Sequence, residues 1–119
     1  MRGKERSITH YACPVELTLD VIGGKWKPLI LWELRAGPRR YNTLLHTVGV
    51  SHKVLTQQLR ALERRDIIVR TARERGERHV EYRLSEFGRT LRPVLNSMAG
   101  WAKRNQGRLG ARVGVTEVT

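Results

Sequence analysis

The sequence predicts one α+β domain that is mostly α, in which a helix-turn-helix pair is followed by a two-stranded β-hairpin. Three observations predict this fold class. Apolar residues recur at helical spacing along most of the chain. Between residues 66 and 85 the apolar period shortens to two, on either side of a glycine. The length of 119 residues gives room for one domain with a modest core, because domains cluster at about 100–150 residues.

The first predicted helix follows a Cys-Pro dipeptide. Proline is favoured at the first position of a helix, where its missing N–H leaves no hydrogen bond unmade, so Cys13 is the predicted N-cap and Pro14 the first helical residue. The helix is expected to end at about Ile22, before two glycines. Its predicted buried face consists of Val15, Leu19 and Ile22.

A second helix is predicted from about Trp26 or Pro28 to Ala36, where a Gly-Pro dipeptide stops it. Its expected core residues are Trp26, Leu29, Ile30 and Leu34. Residues 39–41 are then expected to be extended, and Asn42 is the predicted N-cap of a brief helix over residues 43–48.

Ser51 is the expected N-cap of the next helix, which completes the helix-turn-helix unit with the sequence SHKVLTQQLRALERR. At the helical period this segment has two opposite faces, an apolar one with Leu55, Leu59 and Leu62 and a polar one with Lys53, Gln57, Arg60 and Arg64. Gln and Arg carry the paired donors that read base edges and hold phosphates in a major groove. A merely solvated face is the alternative.

The region of period two predicts a β-hairpin. Asp66 tolerates the left-handed conformation in which helices often end. After it, residues 67, 69 and 71 alternate with residues 68 and 70, and beyond a turn around Gly76 the run HVEYRL places Val80, Tyr82 and Leu84 on one face. The connecting ARERGERH is too charged to bury. Its arginines Arg73, Arg75 and Arg78 suit a phosphate backbone or a minor groove, although a solvated loop would have the same composition.

A long last helix is predicted by an apolar stripe at Phe87, Leu91, Leu95, Met98 and Ala102. Pro93 is expected to bend it. With Trp101 added, the stripe exceeds what one small domain covers, so we interpret this helix as a dimerisation element, with packing on its own domain as the alternative. The chain then divides into an N-terminal arm (1–12), a DNA-binding and dimerisation domain (13–106) and a mobile C-terminal tail (107–119).

The balance of charge indicates a polyanionic partner. Lys and Arg number 23 against 11 Asp and Glu, which gives a formal net charge of +12. Such a balance is typical of nucleic-acid binders, and because the cations are spread over every segment, DNA is favoured over a membrane surface. The amino-terminal MRGKERSIT has no apolar run, and no segment approaches about 18 uninterrupted apolar residues, so we expect a cytoplasmic protein.

The order of elements is that of a winged helix, and four stretches of the sequence resemble a known family. They are CPVELTLDVIGGKWKPLILWEL, GPRRYNTLL, VSHKVLTQQLRALE and VEYRLSEFGRTLRPVL. In order and spacing they resemble the motifs of the HxlR family of bacterial winged-helix transcriptional regulators, relatives of the MarR group, over about residues 13–104. The resemblance implies a homodimer built by the first and last helices. Its two recognition helices would enter successive major grooves of a pseudo-palindromic operator, about 34 Å apart.

Carried onto this chain, the resemblance implies three groups of site residues. The double-stranded DNA contacts are Ser51, Lys53, Thr56, Gln57 and Arg60 on the recognition helix, Arg73, Arg75 and Arg78 on the wing, and Arg40 as a phosphate contact. The dimer interface comprises Val15, Leu19, Leu95, Met98, Trp101 and Ala102. Two features depart from the family pattern: Asp66 replaces the usual glycine, and RERGERH lacks the prolines common in the wing.

The third group is Cys13 alone, the only cysteine of the sequence. Several HxlR-type proteins use the cysteine of this motif to sense oxidants or electrophiles. A helix N-terminus in a basic chain favours the reactive thiolate if the sulfur is exposed. A small, buried, unreactive side chain near the dimer interface is the alternative. A small-molecule or electrophilic effector therefore belongs to the expectation.

Other functions have weaker support in the sequence. The pair His10 and Cys13 supplies too few ligands for a metal site, and we expect no metal or cofactor. The sequence has no glycine-rich phosphate loop, nucleophile elbow or catalytic carboxylate pair, so we do not expect an enzyme. A non-specific nucleic-acid-binding or chromatin-packaging protein would share the charge, and a dimeric adaptor would share the last helix. Both stay open.

Overall fold

The computed structural model describes residues 8–114 and confirms a mostly helical α+β winged-helix fold. Within these residues the elements are α1 (Pro14–Ile22), α2 (Lys27–Leu34), β1 (Arg39–Arg40), α3 (Tyr41–Val48), α4 (His52–Arg64), β2 (Ile68–Arg73), β3 (His79–Leu84), a 3-10 turn (Gly88–Leu91) and α5 (Arg92–Asn105). The parts of the predicted arm and tail at residues 1–7 and 115–119 lie outside the described residues.

The first two helices start as predicted but bury fewer of their apolar residues. Cys13 is extended, at φ −147° and ψ 137°, and α1 begins at the following proline. The predicted burial of Val15 and Leu19 is wrong for the single chain, since they are 61% and 53% exposed. In α2 the predicted core residue Leu29 is also exposed, and Leu31 is buried in its place. The helix ends at Leu34, two residues before the predicted end at Ala36.

The predicted start of the third helix is wrong by two residues. Arg40, at φ −73° and ψ 151°, is the N-cap in place of Asn42. The cause is tertiary, because β1 pairs with β3 through the register Arg39↔Tyr82 and Arg40↔Glu81. The chain is therefore held extended up to Arg40 and turns into the helix at the next residue.

Both predicted ends of α4 are confirmed. The Ser51 hydroxyl oxygen accepts a hydrogen bond from the Val54 N–H at 3.1 Å, which caps the first turn. At the other end Asp66 has φ 61°, a left-handed conformation. The N–H of Asp66 donates to the Glu63 carbonyl at 2.9 Å and the N–H of Ile67 to the Leu62 carbonyl at 3.0 Å. These two bonds make a Schellman motif, so aspartate keeps the geometry that glycine usually supplies.

The hairpin forms an antiparallel three-stranded sheet in the order β1-β3-β2. Its predicted two strands pair from Ile68↔Leu84 to Arg73↔His79 and turn at Gly76, where φ is 66°. The pairing of β1 with β3 adds a third strand that the sequence did not predict. The sheet thereby fixes the start of α3 against the root of the wing.

The core lies between α2, α3, α4 and the sheet. Its innermost side chains are aliphatic, and the largest fully buried ones are Ile22, Ile30, Leu31, Leu34, Leu44, Leu55, Leu59, Leu62 and Ile67. The predicted apolar face of α4 is therefore confirmed as a core face. Its polar face is left on the outside of the molecule.

The last helix is shorter than predicted. A 3-10 turn precedes it, and Pro93 lies in the first turn of α5, where it starts the helix instead of bending it. The Ser85 hydroxyl oxygen accepts from the Gly88 N–H at 2.8 Å. A Cβ at Gly88 would lie 2.0 Å from the Ile67 carbonyl oxygen, so only glycine permits this close approach. After α5 the chain folds back, and the Val113 N–H donates to Gln106 Oε1 at 2.8 Å.

Candidate nucleic-acid interface

The outward face of α4 presents the predicted polar side chains to solvent. Lys53, Gln57 and Arg60 are all exposed and stand four and three residues apart, which places them on one side of the helix. The leucines on the opposite side are buried. The helix therefore offers an amide and two cations on a rigid support.

Two other predicted contacts on α4 are already engaged within the protein. Ser51 uses its hydroxyl oxygen as the cap acceptor. Thr56 is half-buried, and its hydroxyl lies 3.2 Å from the Tyr41 hydroxyl. Both residues lie beside the outward face, but their polar atoms hold the helix in place.

A cleft of about 730 Å³ separates α4 from the wing. One wall is formed by α4, another by the sheet, and the end by the start of α3. The lining residues are Arg40, Tyr41, Asn42, Thr43, Thr56, Arg60, Glu63, Arg70, Glu77, Arg78, His79, Val80 and Tyr82. Arginines outnumber carboxylates around this cleft, which suits a phosphate backbone.

The three predicted wing arginines are all exposed but differ in their partners. Arg73 lies 3.5 Å from a carboxylate oxygen of Glu81, and Arg78 lies 4.0 Å from one of Glu74. Arg75 has no ion-pair partner within residues 8–114. Of the three, it is therefore the arginine with no carboxylate to displace before it binds an external anion.

Arg40 connects the start of α3 to the wing. Its guanidinium lies 3.1 Å from a carboxylate oxygen of Glu77, and these side chains are 47% and 77% exposed. Exposed pairs of this kind contribute about 0–1 kcal/mol to stability. A phosphate group can therefore displace Glu77 from Arg40 at little cost.

A histidine and a glutamate fix the wing beside its tip. His79 Nε2 lies 2.9 Å from Glu81 Oε2, and its Nδ1 lies 3.0 Å from the Glu77 carbonyl oxygen. The hydrogen bond from His79, helped by the charge of Arg73, holds the pKa of the Glu81 carboxyl below its usual range. Glu81 is thus an anion at neutral pH that holds the Arg73 and His79 side chains in place.

The sequence did not indicate three residues that the fold brings to this surface. Tyr41 stacks on His52 with ring centroids 5.7 Å apart, and Arg70 lines the cleft. Arg70 could have been found from the alternation in its strand. The stacking of Tyr41 on His52 could not be predicted from the residue spacing, because it depends on how α3 packs on α4.

A second surface, formed by α1 and α5, carries the predicted interface residues. Val15 and Leu19 are exposed, as are Met98 at 47% and Trp101 at 56%. Ala102 is half-buried and lines an apolar groove of about 710 Å³ between α2 and α5. Leu95 departs from the prediction, since it is 5% exposed and belongs to the core of its own chain. Cys13 has an exposed free thiol at the start of α1.

Residues 8–114 show neither a cluster of metal ligands nor a candidate membrane-spanning helix. Among residues 8–114 no group of three or more His, Cys, Asp or Glu residues is arranged to hold a metal ion. No helix in the described part of the chain has both the length and the apolar character needed to cross a bilayer.

A family model described as HxlR-like helix-turn-helix matches residues 21–109. The chain belongs to the HxlR-like helix-turn-helix family. This confirms the resemblance seen in the sequence motifs, and it makes α4 and the hairpin the recognition helix and wing of an HxlR-type winged helix.

Relatives and solved structures extend the comparison of this HxlR-family chain. The HTH-type transcriptional regulator YdeP of Bacillus subtilis strain 168 is 44% identical over 98 residues, which cover 82% of this chain and 77% of YdeP. The redox regulator HypR in its reduced form is 40% identical with a TM-score of 0.76, over 82% of this chain and 98% of HypR. The reduced transcriptional regulator YodB from B. subtilis is 31% identical with a TM-score of 0.68, over 79% of this chain and 94% of YodB.

Proposed function

We propose that this HxlR-family chain is a sequence-specific transcriptional regulator that binds double-stranded DNA as a homodimer. In this proposal α4 of each protomer enters a major groove of a pseudo-palindromic operator, and the wing contacts the adjacent backbone. The observation that carries the proposal is the exposed face of Lys53, Gln57 and Arg60 beside a basic wing.

Gln57 is the residue that favours base reading over charge neutralisation. An amide can pair with adenine through one donor and one acceptor, whereas cations alone suffice for packaging DNA. The Gln57 side chain is exposed and makes no hydrogen bond to residues 8–114. Its donor and acceptor are therefore available to a base.

The apolar surface of α1 and α5 supports the homodimer. Leu19 and Trp101 are more than half exposed on helices that the family uses for dimerisation, and exposed apolar patches mark interaction sites. A twofold dimer would place two copies of α4 about 34 Å apart, one turn of DNA. Leu95 is 5% exposed and packs mainly in the core of its own chain, where it also lines the groove between α2 and α5.

The experiment that tests this function is selection of bound sequences from a random duplex pool at about 150 mM salt, where indiscriminate phosphate binding is weakened. Recovery of an inverted repeat with half-sites about one turn apart is the expected result. The specific affinity should exceed that for random sequence by roughly 10³ or more. If no motif is enriched, the function is that of a non-specific nucleic-acid-binding protein. A dimer that binds no duplex at all would instead be an adaptor.

We further propose that Cys13 is the site at which an oxidant or electrophile switches the regulator. The thiol is exposed at the N-terminal end of α1, where a reagent from solvent can reach it. HypR, a similar protein, is named a redox regulator. Because the chain has one cysteine, a disulfide would need a thiol from a second molecule.

The test of the switch compares wild type with Cys13→Ser before and after treatment with a quinone or diamide. A quinone forms a carbon–sulfur bond with the thiolate and takes up the proton on its oxygen. We expect operator binding by wild type to change after treatment and binding by Cys13→Ser to stay constant. Identical responses of the two proteins would end the hypothesis.

A further inference from the structure

A stacked pair of rings stands at the N-terminal end of the recognition helix. The rings of Tyr41 and His52 are 5.7 Å apart with an interplanar angle of 20°. The Tyr41 hydroxyl lies 3.1 Å from His52 Nδ1 and 3.2 Å from the Thr56 hydroxyl. On its other side Tyr41 contacts buried Tyr82, with centroids 6.5 Å apart. The imidazole is thus held against the domain through one of its two nitrogens.

The other nitrogen of this imidazole is unused. His52 is exposed, and its Nε2 has no hydrogen-bond partner within residues 8–114. His52 differs in this respect from His79 on the wing, because both nitrogens of His79 have hydrogen-bond partners in the protein. His52 is also the first residue of α4 and the neighbour of Lys53, so both the helix dipole and a cation favour an anion there.

We propose that His52 is a further DNA contact, in which Nε2–H donates to a backbone phosphate, and that Tyr41 is the positioning residue that holds the ring. The proposal rests on the proposed function, because the phosphate is that of the DNA into which α4 docks. A phosphate beside an imidazole favours the charged form of the ring, so the contact should strengthen as the pH falls.

The neighbours of His52 are a lysine and two tyrosines, residue types that ordinarily titrate well above neutral pH. Lys53 is the next residue along α4. Tyr41 faces the His52 ring from α3, and Tyr82 on β3 lies behind Tyr41. Lysine and tyrosine titrate near about pH 10, and burial raises the pKa of Tyr82 further. Among unperturbed side chains, histidine is the one whose charge ordinarily changes between about pH 5.5 and pH 8.

The sign of the pH effect follows. The contact should be strongest at low pH, where a histidine ring carries a charge, and should weaken as the pH rises and that charge is lost. Operator affinity should therefore increase by about tenfold per protomer from about pH 8 to about pH 5.5, the usual magnitude for one hydrogen bond to a charged group.

The experiment measures the affinity for the selected operator duplex by fluorescence anisotropy across that pH range, at about 150 mM salt. The variants are His52→Gln, which keeps a polar side chain without the charge, and Tyr41→Phe, which keeps the ring without the hydroxyl. His46→Gln is the matched control, because His46 is an exposed histidine of α3 that makes no hydrogen bond to Tyr41. Thermal unfolding of each variant checks that the fold is kept.

We expect His52→Gln to remove most of the pH dependence while binding at about pH 8 changes less than twofold. Tyr41→Phe should reduce the pH-dependent part to an intermediate value, and His46→Gln should match wild type. A His52→Gln protein with the pH profile of wild type overturns the inference and leaves the proposed function intact. Loss of operator preference by wild type at every pH overturns both.

Discussion

The residues on the outward face of α4 and on the wing differ in whether their polar atoms are available to bind DNA. Ser51 and Thr56 use their hydroxyls to hold α4, whereas Gln57 is exposed with no hydrogen bond inside residues 8–114. Arg75 at the tip of the wing has no ion-pair partner in the same part of the chain, in contrast to Arg73. We therefore expect base preference to depend on Gln57 and uniform affinity to depend on Arg75.

Replacement of these two residues should separate the two contributions. Gln57→Ala should relax the preference at one operator position by about 1–3 kcal/mol, because an amide that pairs with a base is lost. Arg75→Ala should weaken binding to every sequence and lower the salt slope by about one, because one phosphate contact is lost. Binding titrations on operator variants over a salt series measure both quantities.

Gln58→Ala is the matched control for this pair, because Gln58 is the same residue type one position along α4 and is half-buried. Its base preference should equal that of wild type. Equal losses for Gln57→Ala and Arg75→Ala on all sequences would show that the two residues do the same work.

The helices of this fold are stabilised in part by the hydrogen bonds that cap their ends, and α4 is an example. The Schellman motif at the end of α4 requires a left-handed residue, and Asp66 supplies it at φ 61°. A side chain in this conformation costs about 1–2 kcal/mol relative to glycine, less for aspartate than for most residues. The buried pair of Leu62 and Ile67 accompanies the motif and joins α4 to the sheet.

Asp66→Gly should therefore raise the free energy of unfolding by about 0.5–1 kcal/mol, after the extra chain entropy of glycine in the unfolded state is subtracted. Urea denaturation measures the change. Gly49 caps α3 with φ 74°, so Gly49→Ala should do the reverse and lower stability by about 1 kcal/mol. A loss of stability in Asp66→Gly would mean that the aspartate side chain contributes more than its backbone strain costs.

The helix ends and turns that are determined by nearby residues could be predicted from the sequence. Ser51 as a cap, Asp66 as a left-handed residue and Gly76 as a turn each act within a few residues of their own position. The start of α3 at Tyr41 was not predictable, because it depends on the pairing of β1 with β3. The contact between Arg40 and Glu77 spans 37 positions for the same reason.

On the scale of the whole molecule two surfaces have opposite chemistry. One is basic and comprises the outward face of α4 and the wing, and the other is apolar and comprises α1 and α5. The sequence predicted the composition of both. It misplaced Leu95 because a helical stripe does not reveal which of its residues face the same domain and which face a second copy.

Trp101→Glu should disrupt the proposed dimer without unfolding the domain, because Trp101 is 56% exposed in the single chain. A carboxylate at the centre of an apolar interface is left desolvated and unpaired, which opposes association. Sedimentation equilibrium should show a monomer. The circular dichroism spectrum should match that of wild type, and the operator affinity should be greatly reduced.

Phe87→Glu provides the control for the dimer, since Phe87 is 58% exposed but precedes α5 and is not among the six residues assigned to the interface. It should sediment as wild type does. A Trp101→Glu protein that remains dimeric would place the interface elsewhere.

The separation of the two faces of α4 has a consequence for how such proteins diversify. Leu55, Leu59 and Leu62 hold the helix in the core, while Lys53 and Gln57 make no contribution to that packing. Exchanges at exposed positions of this kind usually alter stability by less than about 0.5 kcal/mol. A duplicated copy of the gene could therefore acquire new target sites in few steps, without first having to recover lost stability.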